Sequence, residues 1–74
     1  MPDKILDAKG LNCPLPILKA KKALQDVPAG GTLEVWATDP GSVADFTAFC
    51  RATGHHLREQ DGGDGVYRFL IERV

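Results

Sequence analysis

The chain has 74 residues, of which 43% are hydrophobic and 26% are charged, and its formal net charge at pH 7 is −1. This length and composition predict one globular domain covering residues 1–74, and the balanced charge gives no overall attraction to nucleic acid or to an anionic membrane. Neither a signal-peptide core nor an apolar stretch near the roughly 20 residues of a membrane span is present, so we expect a cytoplasmic protein that does not contact a membrane.

The first predicted elements are a strand and a helix joined by a tight turn. The strand is the short, partly alternating segment KILDAK, and Gly10 after it can adopt the positive φ of a turn. A helix is expected to begin at Pro14, a residue type suited to the first helical position, and to end at the segment PAGG. Its apolar stripe consists of Ile17, Ala20, Ala23, Leu24 and Val27, with Lys19, Lys21 and Lys22 outside it.

A second strand and a second helix follow. The segment TLEVWAT alternates between a buried set, Leu33, Val35 and Ala37, and an outward set, Glu34 and Trp36. Asp39 is predicted to cap a helix whose first residue is Pro40, and Gly54 to end it in a left-handed conformation. The apolar stripe of this helix consists of Val43, Phe46, Phe49, Cys50 and Thr53. Cys50 is therefore expected to pack in the core as a small hydrophobic residue.

The last predicted element is a β-hairpin. The segments HHLREQ and VYRFLIE flank the turn-rich DGGDG, and the last strand is expected to bury Tyr67, Phe69 and Ile71. The order β-α-β-α-β-β favours a four-stranded sheet with both helices on one face. The other face would then be open, and it would carry Trp36, Arg68, Leu70 and Glu72 as a candidate contact patch.

Cys13 lies at the predicted start of the first helix, in the stretch GLNCPLPILKAKKAL. As N-cap residue it would feel the positive end of the helix dipole, which can lower a cysteine pKa to about 3.5 to 7.5, against ~8.5 for a free thiol. Pro14 and Pro16 have no N–H, so only Leu15 and Ile17 could donate toward the sulfur. The two prolines would also stiffen this corner and hold the sulfur outward.

Several chemistries are disfavoured for this cysteine. His55 and His56 with two distant cysteines do not have a zinc-binding spacing, and we expect neither a metal nor a cofactor. Of the His and Asp residues only Asp7 adjoins Cys13, which argues against a nucleophilic hydrolase. Cys50 is expected to be buried, so no resolving cysteine is at hand. Two interpretations stay open: a lone reactive thiolate that accepts and passes on a group, and an inert loop or capping cysteine.

The chain resembles the TusA-type, or SirA-like, family of small sulfur-carrier proteins. The resemblance lies in LDAKGLNCPLPILKAKKAL with its C-P-x-P motif, in TDPGSVADFTAFCRATGHHL and in the final YRFLIE. It implies an α/β (α+β) two-layer sandwich with a mixed sheet, in which Cys13 carries sulfane sulfur as a persulfide, supported by Gly10, Pro14 and Pro16. It further implies that Cys50, which matches a second family cysteine, is not the carrier.

The same resemblance implies a carrier that acts with partner enzymes instead of turning over alone. A cysteine desulfurase or rhodanese-type protein would supply the sulfur, and a DsrE/TusD-like protein would accept it. For docking, helix geometry places Leu15 and Leu18 off the apolar stripe, with Lys19 and Lys22 beside them, and predicts that these side chains surround the thiol. Nothing in the sequence calls for more than a monomer.

Two other functions are alternatives to that of a sulfur carrier. A redox or selenium-handling relative would use the same thiolate for other chemistry. A regulatory nucleic-acid-binding module is suggested by the basic run KAKK, although a charge run on an amphipathic helix is usually a solvated face and the net charge is balanced. We therefore expect no direct contact with nucleic acid.

Overall fold

The structure is a computed structural model of the chain and describes residues 2–74. Its elements follow the predicted order β-α-β-α-β-β. They are β1 (Lys4–Ala8), α1 (Leu15–Leu24), β2 (Thr32–Ala37), α2 (Ser42–Thr53), β3 (His56–Gly63) and β4 (Val66–Glu72). Among the described residues, no helix has the length and apolarity needed to cross a bilayer.

The four strands form one mixed sheet in the order β1-β2-β4-β3. β1 and β2 are parallel, as expected for strands joined by a helical crossover, whereas β4 lies antiparallel between β2 and β3. α1 packs on β1 and β2, α2 packs on β3 and β4, and the two helices touch each other. The predicted fold class, a two-layer α/β sandwich with both helices on one face, is confirmed.

The core lies between the helices and the inner face of the sheet. Its buried apolar residues are Ala8, Ala20, Ala23, Leu24, Val27, Leu33, Val35, Ala37, Phe46, Cys50, Phe69 and Ile71. The ring of Phe46 from α2 stacks on that of Phe69 from β4, with centroids 4.7 Å apart. The predicted stripes thus match the buried faces, with exceptions: Thr53 is exposed, and four residues are only half-buried, namely Ile17, Val43, Phe49 and Tyr67.

Both helices begin later than predicted. The N-cap of α1 is Pro14 and that of α2 is Gly41, so the expected caps, Cys13 and Asp39, are wrong. In each case a turn precedes the helix: Leu15 N donates to Asn12 O at 2.8 Å, and Ser42 N donates to Asp39 O at 2.9 Å. The predicted end of α2 is confirmed, because Gly54 closes it with a φ of 83°.

The hairpin turn is shorter than the predicted DGGDG segment. β3 continues through Gly63, and the turn consists of Asp64 and Gly65, with φ values of 53° and 81°. Gly62 pairs with Tyr67, and a Cβ at Gly62 would come within 2.9 Å of the tyrosine ring. The missing side chain lets the aromatic ring lie over the strand backbone, which explains why a glycine extends β3 instead of ending it.

The outer sheet face carries the predicted residues, but polar contacts cover part of it. Trp36 Nε1 donates to Glu34 Oε2 at 2.6 Å, and Glu34 Oε1 pairs with Arg68 Nε at 3.2 Å. Lys9 Nζ lies 5.2 Å from the centre of the Trp36 ring. Trp36 is therefore half-buried and held in place, while Ile5 at the sheet edge is 52% exposed.

Candidate functional site

Cys13 lies in the loop between β1 and α1, at the carboxyl end of β1. Because β1 and β2 are parallel neighbours, the loops that follow them meet at the same edge of the sheet. Two hydrogen bonds join these loops: Gly10 N donates to Thr38 Oγ1 at 2.9 Å, and Cys13 N donates to Asp39 Oδ2 at 2.9 Å. The backbone at Cys13 is thus fixed by a residue 26 positions later in the chain.

The residues around Cys13 turn the chain and anchor the helix. Gly10 has a φ of 82°, and a Cβ there would meet nothing within 4 Å, so the glycine is needed for its backbone conformation and not for space. Pro16, in the first turn of α1, is buried, whereas Pro14 is exposed. The Cys13–Pro14 peptide bond is cis. This arrangement leaves Cys13 as an exposed free thiol, in contrast to the buried free thiol of Cys50.

Two carboxylates face the sulfur. Cys13 Sγ and one carboxylate oxygen each of Asp39 and Asp45 all lie within 4.8 Å of one another. Asp39 comes from the loop after β2, and Asp45 from the first turn of α2; both are half-buried. We call these three residues the thiol–carboxylate cluster.

The cluster raises the pKa of the Cys13 thiol above its ordinary value. The largest cause is the hydrogen bond that the Asp45 carboxylate accepts from the thiol, followed by loss of hydration and by the negative charges of Asp45 and Asp39. The predicted depression of this pKa is therefore wrong. Cys13 precedes the N-cap, and full negative charges beside the sulfur outweigh a helix dipole equivalent to about half a charge.

The thiol–carboxylate cluster brings together three potential metal ligands, one thiol and two carboxylates, which the sequence did not indicate. Both oxygens of Asp39 nevertheless already have partners within the chain. Asp39 Oδ2 accepts from Cys13 N and Asp39 Oδ1 accepts from Gly41 N at 3.2 Å, while the Asp45 carboxylate accepts a hydrogen bond from the thiol. The geometry suits a structural and electrostatic role for the two carboxylates.

Of the four α1 residues predicted to surround the thiol, the two leucines and the two lysines occupy different surfaces. Leu15 and Leu18 are 45% and 55% exposed, as expected. Lys19 and Lys22 are exposed too, but they line a groove of about 200 Å³ between α1 and β1, together with Lys4, Leu6, Ala23 and Asp26. At 1.5 Å per residue, Lys22 lies roughly 10 Å along α1 from Leu15. The charges that act on the sulfur are those of carboxylates, and the docking of partners by Lys19 and Lys22 stays a prediction.

Sequence reasoning did not identify Asp39 and Asp45 as neighbours of Cys13. The strand–helix–strand order could have indicated that Asp39 lies near Cys13. Two parallel strands joined by a helix place the residues that follow them at the same edge of the sheet. The sequence left open whether the histidines approach Cys13. His55 follows the far end of α2, where its Nδ1 accepts from Val74 N at 3.2 Å.

Comparison with known proteins gives a consistent result. The family model described as sulfurtransferase TusA matches residues 4–73. The chain is 55% identical over 71 residues to the sulfur carrier protein TusA of Allochromatium vinosum, covering 96% of this chain and 93% of that protein. It is 43% identical over 72 residues to the sulfur carrier protein TusA of Pseudomonas putida strain W619, covering 97% and 90%.

Among solved structures, the SirA-like protein of Desulfitobacterium hafniense superposes on this fold with a TM-score of 0.80. The two sequences are 31% identical, and the match covers 92% of this chain and 93% of that one. The likeness therefore extends over nearly the whole sandwich.

Proposed function

The chain belongs to the TusA family and is a sulfur carrier, and from this premise we propose that Cys13 is the residue that carries the sulfur, as a persulfide. The observation that supports this assignment most is the contrast between the two thiols: Cys13 is exposed on a fixed loop, whereas Cys50 is 5% exposed in the core. An exposed sulfur can meet the sulfur of another protein directly, which a buried one cannot do without unfolding α2.

Transfer needs one exchange at sulfur in each direction. On loading, the Cys13 sulfur attacks the terminal sulfur of the donor's cysteine persulfide; the donor S–S bond breaks, the new S–S bond forms on Cys13, and the donor cysteine leaves as thiolate. The thiol proton of Cys13 passes to the donor thiolate or to solvent. On unloading, an acceptor thiolate attacks the terminal sulfur and Cys13 leaves with the electron pair. No external oxidant or reductant is consumed.

A sulfur carrier of this family works with a donor and an acceptor protein. We propose a cysteine desulfurase or rhodanese-type protein as donor and a DsrE/TusD-like protein as acceptor. In this proposal residues 1–74 act as a single monomeric carrier domain in the cytoplasm, where a reducing environment keeps both thiols free. No cofactor and no contact with nucleic acid are needed.

We propose the exposed side of α1 as the docking face for these partners. Leu15 and Leu18 present apolar surface beside the Cys13 loop, and Lys19 and Lys22 add positive charge along the neighbouring groove. Apolar anchors next to a charged rim are typical of transient interfaces, in which charge speeds encounter and apolar contacts set the lifetime. An acidic partner surface fits this face.

The test is a loading experiment with mass spectrometry. After incubation with a cysteine desulfurase and cysteine, the parent chain should gain the mass of one sulfur atom, and a reductant should remove it. Cys13→Ser should gain none, while Cys50→Ser should load as the parent does. Sulfur that persists in Cys13→Ser would overturn the assignment of the carrier, and a mixed disulfide without added sulfur would instead support the redox alternative.

A further inference from the structure

The environment of Cys13 is unusual for a residue that must attack sulfur. Thiolate is the attacking form of cysteine, and reactive cysteines commonly lie beside positive charge. Here Asp45 and Asp39 are the charged groups that act on the sulfur within residues 2–74, which the structure describes. The local charge therefore opposes ionisation of the very thiol that the proposed function uses.

We propose that Asp45 insulates the carrier: by lying against the Cys13 thiol as a negatively charged hydrogen-bond acceptor, it keeps the proton on the sulfur, so that small disulfides and electrophiles react slowly with the free protein. The idea rests on the proposed role of Cys13 as sulfur carrier. It adds a regulatory residue to that role, whose purpose is to confine exchange to complexes with partner proteins.

Asp45, and not Asp39, is placed to do this. Both oxygens of Asp39 accept backbone N–H groups, those of Cys13 at 2.9 Å and Gly41 at 3.2 Å, so this carboxylate holds the loop. Asp45 accepts the hydrogen bond of the thiol and lies in the first turn of α2, at the positive end of the helix dipole. The negative charge of Asp39 also raises the pKa of the Cys13 thiol, by less than Asp45 does.

Insulation acts on both directions of exchange. A protonated Cys13 is a poor nucleophile toward small disulfides, oxidants or alkylating reagents. Once loaded, the carrier loses its cargo when a small thiol attacks the terminal sulfur, forming a new persulfide on the small thiol and releasing Cys13 as thiol. A leaving group of higher pKa departs more slowly, so the same carboxylates protect the cargo.

The first experiment measures alkylation of Cys13 by iodoacetamide as a function of pH. The variants are Asp45→Asn and, as matched control, Asp61→Asn, which removes the same charge from an exposed position on β3. Asp45→Asn should move the midpoint of the profile to lower pH, and Asp61→Asn should not. If the midpoint falls by about one pH unit, the fraction of thiolate below the midpoint rises about 10-fold, but each thiolate is less nucleophilic because its pKa is lower. The alkylation rate below the midpoint should therefore rise roughly 3-fold.

The second experiment measures retention of cargo. Parent and variants are loaded with inorganic polysulfide, whose chain becomes one sulfur shorter, and the loss of sulfur to glutathione is followed by mass spectrometry. Asp45→Asn should lose its sulfur several-fold faster than the parent and than Asp61→Asn. Asp45→Glu should restore most of the protection. Circular dichroism checks that each variant is folded, and Asp45→Ser, which removes the same charge, is the second variant should Asp45→Asn not fold.

If the alkylation profiles of Asp45→Asn and the parent have equal midpoints, the proposal is overturned. It is also overturned if Asp45→Asn has a lowered midpoint but loses its sulfur to glutathione as slowly as the parent. If Asp45→Ser is the variant used, a midpoint equal to that of the parent has the same meaning. A parent chain that takes up no sulfur on Cys13 would instead refute the carrier assignment. The alkylation profile would still report on Asp45 in that case, so the two failures are distinguishable.

Discussion

Serine in place of cysteine applies one chemical change to two different environments in this chain. Cys50 lies on the inner side of α2 and is 5% exposed, and burial raises the pKa of its thiol. Cys13 is exposed on a loop. The substitution therefore puts a hydroxyl into the core at one position and into solvent at the other, and only the core position should affect stability.

The expected loss at Cys50 follows from the cost of burying a hydroxyl. Without a partner this costs about 1–3 kcal/mol in proteins. In a helix, however, the hydroxyl can donate to the carbonyl four residues earlier, as Thr47 does to Val43 O and Thr53 to Phe49 O, both at 2.8 Å. We therefore expect Cys50→Ser to lower the free energy of unfolding by about 1–2 kcal/mol.

That loss is large enough to measure and too small to unfold the chain. At about 0.05–0.15 kcal/mol per residue, a domain of this size has roughly 4–11 kcal/mol of stability. A change of 1 kcal/mol shifts the melting temperature of a small domain by about 4–8 °C. Cys50→Ser should thus melt well below the parent, and Cys13→Ser close to it, in thermal and urea unfolding followed by circular dichroism.

The same two proteins separate stability from function. Cys50→Ser should load sulfur at a temperature where it is folded, and Cys13→Ser should not load although it is stable. Equal melting temperatures for Cys50→Ser and the parent would refute the packing argument. A loss of stability in Cys13→Ser as large as that in Cys50→Ser would refute the contrast between the two sites.

Two further predictions concern the docking face and the histidine at the far end of α2. The double variant Lys19→Glu with Lys22→Glu should slow sulfur transfer from the donor protein, more at low than at high salt, and leave alkylation of Cys13 unchanged. Transfer rates equal to those of the parent across a salt series would exclude this docking face. Equal slowing by the control variant Arg51→Glu on α2 would exclude it too. Loss of hydration, with the charges of Arg73 and His56, lowers the pKa of His55 below its ordinary value. The neutral form of His55 therefore contributes to the stability of the fold above pH ~6.5, and this contribution is lost as the pH falls through the lowered pKa. His55→Asn should weaken the drop in melting temperature between about pH 7.5 and pH 5, and an unchanged drop would contradict it.

Local patterns were enough to predict most of the secondary structure. Alternation in TLEVWAT identified the buried face of β2, and helical spacing placed Phe46 and Cys50 in the core, because the side-chain periods of strands and helices are fixed by backbone geometry. Gly10 and Gly54 were correctly assigned positive φ, since glycine accepts it without a steric cost. The exposure of Leu15 and Leu18 followed from the same helical spacing.

The charge environment of Cys13 was decided by the tertiary structure alone. The sequence predicted a helix cap and a lowered pKa, because it shows only the residues adjacent to the cysteine. The parallel pairing of β1 and β2 brings Asp39 to the Cys13 backbone across 26 positions, and α2 adds Asp45. Local periodicity reports which side chains are buried, whereas the ionisation of a thiol depends on charges a few ångströms away in space, and which loops supply them is fixed only when the strands pair.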